Sequence, residues 1–404
     1  MRAGSRSRGS RADAGSPAKG DAVIDQQFIA GTPEEIGLGS ERLDRLYEYV
    51  ERQVTEGLPS AQIAVGRHGK LAAVRTFGTV TAGGVTQPAT NEHTYCLYSA
   101  TKGVVATALW ALIEDGKLRL DERIVDIIPE FGTEGKDVIT VEQVLTFTAG
   151  FPSAPMHPRL WEDRELRLER MQGWRLNWEP GSRYQYHATS AHWVLVEMIY
   201  RRTGMDFRDY VRQRITHPMG VPELFVGLPD ELHHRAADVV YVDQPSGEGG
   251  SEANVDTVLH FNLPSQRRAG TPGAGGFAGA GDLALFYQRL VSVEDSGAFA
   301  PLKPETIEYA TTVRTREDQV DEATGRPANR GLSVIIAGDL PIERGYGEHA
   351  SPRAFGHAGA GGQLAWGDPE TGLSVGFTTN GFVNAQRIRE RGRTIGSLAA
   401  GALL

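Results

Sequence analysis

Ser99 and Lys102 carry side chains suited to chemistry and stand three positions apart, directly before a run of apolar residues. Val105, Leu109 and Leu112 recur at spacings of three and four residues, which predicts a helix. Positions i and i+3 share one face of a helix, so the hydroxyl and the ammonium are expected to point the same way. The start of a helix favours negative charge, which suits a hydroxyl that must become an alkoxide nucleophile. A solvated surface pair produces the same short match, and on the match alone this alternative stays open.

Two later segments supply the other groups that serine hydrolysis needs, a base for the hydroxyl proton and donors for the developing oxyanion. Tyr186 is the candidate base, in the segment Glu179-Pro-Gly-Ser-Arg-Tyr-Gln-Tyr-His-Ala-Thr189. The alternative for Tyr186 is a core aromatic residue with a hydrogen-bonded hydroxyl. His357 lies in Phe355-Gly-His-Ala-Gly-Ala-Gly-Gly362, a glycine-rich stretch directly before a predicted strand.

The order and spacing of these three motifs resemble the serine β-lactamase and penicillin-binding protein superfamily, most closely class C β-lactamases and family VIII carboxylesterases. The resemblance runs from about residue 33 to 400 and includes Gln143-Val-Leu-Thr-Phe-Thr-Ala-Gly150 and His217-Pro-Met-Gly220. It implies an α/β (α+β) fold of the β-lactamase type. In that fold an antiparallel sheet is flanked by helices and carries a mostly helical inserted lobe.

The resemblance also implies a role for each matching residue. Ser99 is then the nucleophile that becomes acylated, and Lys102 is the cation that lowers the pKa of its neighbours and shuttles protons. Tyr186 is the general base for attack and the acid for the leaving group. A free tyrosine has a pKa of about 10, so a cation must meet it in space, and Lys102 is that cation. The backbone N–H groups of Ser99 and Ala360 are the implied oxyanion hole.

Two positions depart from the pattern of the superfamily. Ala188 stands where lactam-cleaving members carry an asparagine that binds a substrate amide. His357-Ala-Gly359 replaces Lys-Thr-Gly, whose lysine meets a substrate carboxylate. Histidine is mostly neutral at pH 7 and supplies a hydrogen bond more than a charge, and Gly359 allows the backbone to approach the substrate closely. Both changes favour uncharged esters, with a purely structural histidine as the alternative.

Three tryptophans lie among prolines and charged residues between positions 150 and 182. This composition predicts a covering loop or lid rather than a core element. Trp161 and Trp178 are accordingly predicted to contact substrate in an aromatic-lined pocket, and Trp174 lies between them.

Other apparent sites have ordinary explanations. Ser374 lies in Gly372-Leu-Ser-Val-Gly376, but inside a strand pattern rather than at the strand-to-helix turn that a nucleophile elbow requires. Cys96 is expected to be a small buried residue. The histidine spacings fit no ligand pattern, so neither a metal nor an organic cofactor is predicted.

Strand patterns occur near both ends of the chain and helical patterns in the middle, which predicts one sheet built from the two termini. The expected organisation is a disordered tail at 1–30, a sheet lobe from 31–117 and 265–404, and a mainly helical lobe with lid loops at 118–264. Four details are predicted within it. They are a hairpin with its turn at His68-Gly69-Lys70, helix caps at Ser40 and Asp282, a capping box at Thr140-Val-Glu-Gln143, and a strand at Leu332–Ala337.

Composition limits the classes of partner that can be expected for this protein. The net charge is −9 and the folded region has no long basic stretch, which argues against nucleic acid. No apolar run is long enough to span a membrane, and residues 1–20 lack the apolar stretch of a secretory signal. A cytoplasmic protein that acts on a small-molecule ester is therefore expected, with the oligomeric state left open.

The resulting prediction is a serine hydrolase that cleaves carboxylic esters through an acyl-enzyme on Ser99. β-Lactamase or D-alanyl peptidase activity and acyl transfer to a small-molecule acceptor are alternatives at the same site. A non-catalytic binding relative is a further alternative, against which the joint presence of Ser99, Lys102 and Tyr186 argues.

Overall fold

The computed structural model describes residues 24–243, 258–322 and 324–404. The strands are β1 (Ser60–Arg67), β2 (Lys70–Ala82), β3 (Val85–Pro88), β4 (Tyr95–Cys96), β5 (Phe225–Val226), β6 (Val240–Tyr241), β7 (Gly276–Ala278), β8 (Val320–Asp321), β9 (Arg326–Pro327), β10 (Ile335–Ile336), β11 (Phe355–Gly356), β12 (Leu364–Asp368), β13 (Leu373–Thr379) and β14 (Gly381–Phe382). The α-helices are α1 (Ser40–Thr55), α2 (Thr101–Glu114), α3 (Ile124–Ile127), α4 (Val141–Leu145), α5 (Arg164–Gln172), α6 (Ser190–Thr203), α7 (Phe207–Val211), α8 (Pro264–Ala269), α9 (Ala280–Val291), α10 (Val293–Ser296), α11 (Pro304–Ala310) and α12 (Ala385–Ala400).

The main sheet has seven strands in the order β10-β11-β12-β13-β1-β2-β3, and every neighbouring pair is antiparallel. Strand β1 pairs with β2 on one side and with β13, from the other end of the chain, on the other side. The β1–β2 turn has positive φ at His68 (51°) and Gly69 (75°), as a tight hairpin requires. The predicted fold class and the predicted hairpin are both confirmed.

Helices cover both faces of this sheet. Strand residues alternate between the two faces, so Val375 and Phe377 join the core cluster that also contains residues of α1 and α12. Gly376 between them faces α9, where an added Cβ would lie 2.1 Å from the carbonyl oxygen of Ala280. The absence of a side chain at position 376 therefore allows α9 to lie directly on the sheet.

The larger core cluster surrounds α2, whose first twelve residues, Thr101 to Leu112, are all buried. The helix packs against α6, which ends at Gly204 with φ 73°. The predicted capping box is confirmed at the start of α4, since Thr140 and Gln143 each accept a hydrogen bond from the other's backbone N–H. Helix α2 is thus held rigidly at its buried start. Ser99 lies just before this start.

The two residues predicted to cap helices lie after the observed caps, by one residue at Ser40 and by three residues at Asp282. Ser40 is the first residue of α1 rather than its cap, and its N–H donates to the Glu34 carboxylate at 2.9 Å. Gly39 occupies the cap position. Asp282 lies in the first turn of α9, which Gly279 precedes as the cap. The helical pattern was visible in both cases, but its exact first residue depended on packing.

Three further expectations differ from the structure or lie outside it. Only Ile335–Ile336 of the predicted strand at 332–337 pairs in the sheet, because Ser333 has a positive φ of 62°. In the predicted tail, residues 1–23 lie outside the described residues, whereas Phe28 is buried and Ala30 bonds to Leu71. Residues 244–257 of the expected helical lobe also lie outside them.

Across the described ranges, none of the helices is at once long enough and apolar enough to cross a bilayer.

Candidate active site

Ser99 lies in a short 3-10 turn, Tyr98–Ala100, that runs directly into α2. Tyr98 has a positive φ of 46°, which is costly for a bulky side chain. Its ring packs edge-on against Phe261 and Phe382 at 5.2 and 5.0 Å, and its hydroxyl donates to the carbonyl oxygen of Val258. The backbone before Ser99 is therefore held in an unfavourable conformation by contacts from distant parts of the chain.

The three predicted catalytic residues meet at the Ser99 hydroxyl. The Tyr186 hydroxyl lies 2.9 Å from Ser99 Oγ, and Lys102 Nζ lies 3.3 Å from the same oxygen. Ser99 and Tyr186 are partly exposed, whereas Lys102 is fully buried. The structure thus brings together one hydroxyl, one phenol and one amine from segments 87 positions apart.

Lys102 is held by two backbone carbonyl groups besides Ser99. Nζ lies 2.6 Å from the oxygen of Ala188 and 2.7 Å from that of Gly273. Among the described residues no acidic side chain forms an ion pair with it. Burial lowers the pKa of Lys102 well below its ordinary value, and the positive charge of Arg330 lowers it further. Both effects favour the neutral amine over the ammonium.

Tyr186 is surrounded by aromatic rings and by Arg330. Its ring centroid lies 5.3 Å from that of Phe147 and 5.8 Å from that of His357, and the Arg330 guanidinium lies 5.3 Å from it. Burial raises the pKa of Tyr186 to about 12, although the hydrogen bond with Ser99 and the charge of Arg330 both oppose this rise. The phenol is therefore protonated near neutral pH.

His357 directly follows β11, and both of its ring nitrogens face protein atoms. Nδ1 lies 2.8 Å from the Ala358 carbonyl oxygen, to which it must donate, so Nε2 is left as an acceptor towards Arg330 Nη1 at 3.5 Å. Burial lowers the pKa of His357 well below its ordinary value, with Arg330 and Lys102 adding to the effect. The ring is neutral, as predicted, but its hydrogen-bonding groups are engaged within the protein.

The glycine-rich loop after His357 lies against the segment that carries Ser99. A Cβ at Gly359 would lie 2.4 Å from the carbonyl oxygen of Leu97, two residues before Ser99. Gly359 donates its N–H to Gln363 at 2.8 Å, which closes the loop. Ala360 is exposed at its tip. Only glycine fits position 359 at this distance, so the loop lies directly against the backbone that leads into Ser99.

The remaining predicted substrate contacts have different surroundings. Ala188 is exposed, and its carbonyl oxygen binds Lys102. Trp178 is half-buried, with its Nε1 3.2 Å from Gln185 Oε1. Trp161 is 6% exposed and packs in the main core against Trp193 and Phe261. We therefore leave Trp161 out of the proposed substrate contacts.

Trp174 also lies in the main core rather than in a covering loop, with its indole N–H bonded to the carbonyl oxygen of Pro155. The polar residues around these tryptophans suggested a lid, but both Trp161 and Trp174 pack inward.

The two alternative nucleophiles occupy structural positions. Ser374 is buried near the start of β13, and its hydroxyl accepts a hydrogen bond from Gln288 Nε2 at 3.0 Å. Cys96 is buried in β4, and burial raises the pKa of its thiol to about 12. A protonated, buried thiol is a poor nucleophile.

Arg330 and Gly273 are parts of the site that sequence reasoning missed. Arg330 is 3% exposed and donates from Nε to the Tyr184 hydroxyl at 2.9 Å. Gly273 supplies a carbonyl to Lys102, and a Cβ at Gly273 would lie 3.0 Å from Nζ. Neither residue belongs to a recognisable short motif, and both reach the site only through long-range packing.

The chain is similar to known proteins over most of its length. The family model described as Beta-lactamase matches residues 46–400. A relative from Escherichia coli (strain K12), named "Putative D-alanyl-D-alanine carboxypeptidase", is 26% identical over 390 residues, which cover 86% of this chain and 84% of that protein.

Solved structures show the same fold. A penicillin-binding protein homolog from Caulobacter crescentus has a TM-score of 0.77 and 26% identity, and the match covers 91% of this chain and 99% of that one. A family VIII carboxylesterase has a TM-score of 0.73 and 23% identity, with 89% and 99% covered. The predicted resemblance is thereby confirmed: this chain belongs to the beta-lactamase family and is a serine hydrolase.

Proposed function

We propose that the protein hydrolyses carboxylic esters through an acyl-enzyme on Ser99. The observation that carries the proposal is the convergence of Tyr186 Oη and Lys102 Nζ on Ser99 Oγ, at 2.9 and 3.3 Å. Both distances allow proton transfer to or from the nucleophile.

We infer the base from the hydrogen bonds that Lys102 makes when its amine is neutral. A neutral lysine amine has two N–H groups and one lone pair. The carbonyl oxygens of Ala188 and Gly273 accept the two N–H groups, so the lone pair is left for Ser99. The phenol of Tyr186, protonated at a pKa of about 12, donates to Ser99 Oγ. Lys102 is therefore the proposed base and Tyr186 the proposed acid, which revises the role that the resemblance implied for Tyr186.

The reaction then balances in two steps. Ser99 Oγ attacks the ester carbonyl carbon as its proton moves to Lys102. The C–O bond to the alcohol breaks, Tyr186 gives its proton to the leaving oxygen, and the proton held by Lys102 restores the phenol. In the second step water attacks the acyl-enzyme and loses a proton to Lys102. The bond to Ser99 Oγ then breaks, and Lys102 returns that proton to the serine oxygen. The proposed oxyanion donors are the N–H groups of Ser99 and Ala360.

Esters are favoured over β-lactams because two positions of the site, Ala188 and His357, lack the polar groups that lactam-cleaving members carry there. Ala188 has no side-chain amide to bind the amide of a lactam substrate. His357 is neutral, and both of its nitrogens bind within the protein. Carboxypeptidase action is the second candidate, since a relative that aligns with 86% of this chain is named "Putative D-alanyl-D-alanine carboxypeptidase". In that reaction the same acyl-enzyme forms, and D-alanine leaves instead of an alcohol.

The proposal is tested with p-nitrophenyl butyrate and with a fluorophosphonate probe. We expect turnover and labelling of Ser99 in the unaltered protein, and loss of both in Ser99→Ala. Ser374→Ala is the control, because it also removes a serine hydroxyl that accepts a hydrogen bond, but one buried in β13, and it should retain both activities. Ester turnover that survives in Ser99→Ala contradicts the proposal.

The same preparation separates the alternatives. Hydrolysis of nitrocefin, or release of D-alanine from a peptide ending in D-Ala-D-Ala, at rates above the ester rate would assign the site to those substrates instead. Diversion of the acyl group to an added alcohol would show acyl transfer.

A further inference from the structure

Arg330 is a buried arginine at the back of the proposed active site. Nε donates to the Tyr184 hydroxyl at 2.9 Å, and Nη1 lies 3.5 Å from His357 Nε2. The guanidinium carbon lies 5.2 to 5.4 Å from the ring centroids of Phe147, Tyr184 and Tyr186. Arg330 thus contacts the proposed acid and the wall of the site at once.

The positive charge of Arg330 lies beside a position at which this chain departs from the superfamily. His357 stands where the superfamily carries the lysine of Lys-Thr-Gly, and its ring is neutral. Arg330 places a permanent positive charge directly behind that ring. A guanidinium stays protonated at any pH relevant to proteins, so this charge, unlike that of a histidine, does not vary with pH.

Charged and titratable groups from several segments of the chain face Lys102 and Arg330. His192, His357 and Tyr186 face Lys102, and burial and nearby cations lower the pKa of both histidines well below the ordinary value. Around Arg330 lie Tyr184, Tyr186, His357, Arg344 and Asp321, and Arg344 lies 3.8 Å from the Asp321 carboxylate. Within the described part of the chain, neither Lys102 nor Arg330 forms an ion pair with an acidic side chain.

We propose that Arg330 is a positioning residue of the proposed ester hydrolysis, whose fixed charge keeps Lys102 unprotonated and able to accept the Ser99 proton. Lys102 Nζ and the Arg330 guanidinium carbon lie 5.1 and 5.3 Å from the centroid of the same Tyr186 ring. A nearby positive charge disfavours protonation of an amine, and the burial of both groups limits screening by solvent. The hydrogen bonds to Tyr184 and His357 hold the guanidinium in place. This inference rests on the proposed function, because it specifies how the proposed base stays neutral.

The test is the pH dependence of kcat/KM for p-nitrophenyl butyrate, with the rate of fluorophosphonate labelling as a second readout. Activity falls at low pH as Lys102 becomes protonated. Without the charge of residue 330, Lys102 is protonated more easily. The acid limb, which is the part of the pH profile where activity falls at low pH, then moves to higher pH. We expect Arg330→Met and Arg330→Gln to shift this limb upwards by about one unit or more. Arg330→Lys keeps the charge and should leave the limb in place, with a lower kcat.

Arg289→Met is the matched control. Arg289 is also buried, stacks on Phe28 and Phe299, and donates to a backbone carbonyl, that of Gly69. Arg289→Met removes a buried guanidinium, as the Arg330 variants do, but neither aromatic ring that Arg289 contacts belongs to the site. We expect a lower melting temperature and an acid limb that does not move.

Each outcome decides the inference. Neutral variants that lose kcat without moving the acid limb would show a purely structural role and overturn the proposal. Should neither neutral variant fold, Arg330→Lys decides, because a limb that moves although the charge is kept contradicts it and an unmoved limb supports it. Failure of the proposed function is distinguishable: the unaltered protein would then neither turn over the ester nor label at Ser99.

Discussion

Replacement of Tyr186 by phenylalanine separates the two proton-transfer roles at the site. The pKa of Tyr186 is raised to about 12. At about pH 7.5, ionising this phenol before the reaction costs about 6 kcal/mol, at about 1.4 kcal/mol for each pKa unit. A base that is almost never ionised contributes little, whereas a protonated phenol is ready to donate. Tyr186→Phe should therefore remove an acid and leave the base intact.

The expected loss depends on the leaving group. A positioned acid contributes about 10²- to 10⁴-fold, and most of this applies to an alkoxide, which cannot leave without a proton. For ethyl butyrate we expect kcat/KM to fall within that range. For p-nitrophenyl butyrate, whose nitrophenolate leaves unaided, the fall should be about tenfold or less. The acid limb of the pH profile should stay in place, because it belongs to Lys102.

The assay is steady-state kinetics of both esters from acid to mildly alkaline pH, with Lys102→Met for comparison. Lys102→Met should lose activity towards both esters alike, since proton removal from Ser99 precedes departure of either leaving group. Equal losses for both esters in Tyr186→Phe, together with a displaced acid limb, would refute this reasoning and make Tyr186 the base.

Three further changes test the geometry and the packing. Gly359→Ala places a Cβ 2.4 Å from the Leu97 carbonyl oxygen, which must displace the loop. We expect kcat to fall by about 10²- to 10³-fold, as on loss of an oxyanion donor, with an unchanged circular dichroism spectrum. Asp282 is buried and its pKa is raised to about 7 from 3.8, so the folded state loses stability as pH rises between these values. Asp282→Asn should therefore raise the free energy of unfolding in urea by up to about 4 kcal/mol at pH 8 and by little at pH 4, and equal effects at both would contradict the sign. Gly376→Ala meets the Ala280 carbonyl oxygen at 2.1 Å, so it should lower stability by about 1–3 kcal/mol, measured as a lower urea midpoint.

The sequence by itself determined the features that depend on local spacing. Ser99 lies in the turn before α2 and Lys102 in the first turn of that helix, so their proximity followed from helical periodicity alone. The hairpin at His68-Gly69 followed from turn chemistry in the same way. The order of the three motifs also indicated the fold, because each motif is short and occupies a fixed place in the superfamily.

The tertiary structure alone decided the electrostatics and the exact contacts of the site. The carbonyl partners of Lys102 lie 86 and 171 positions away along the chain, and Arg330 belongs to no motif. Protonation of Lys102 and Tyr186 depends on burial and on charges a few ångströms away. Such distances between remote segments are set by packing and have no signature in local spacing. For the same reason Trp161 packs in the core although its neighbours in the sequence are polar.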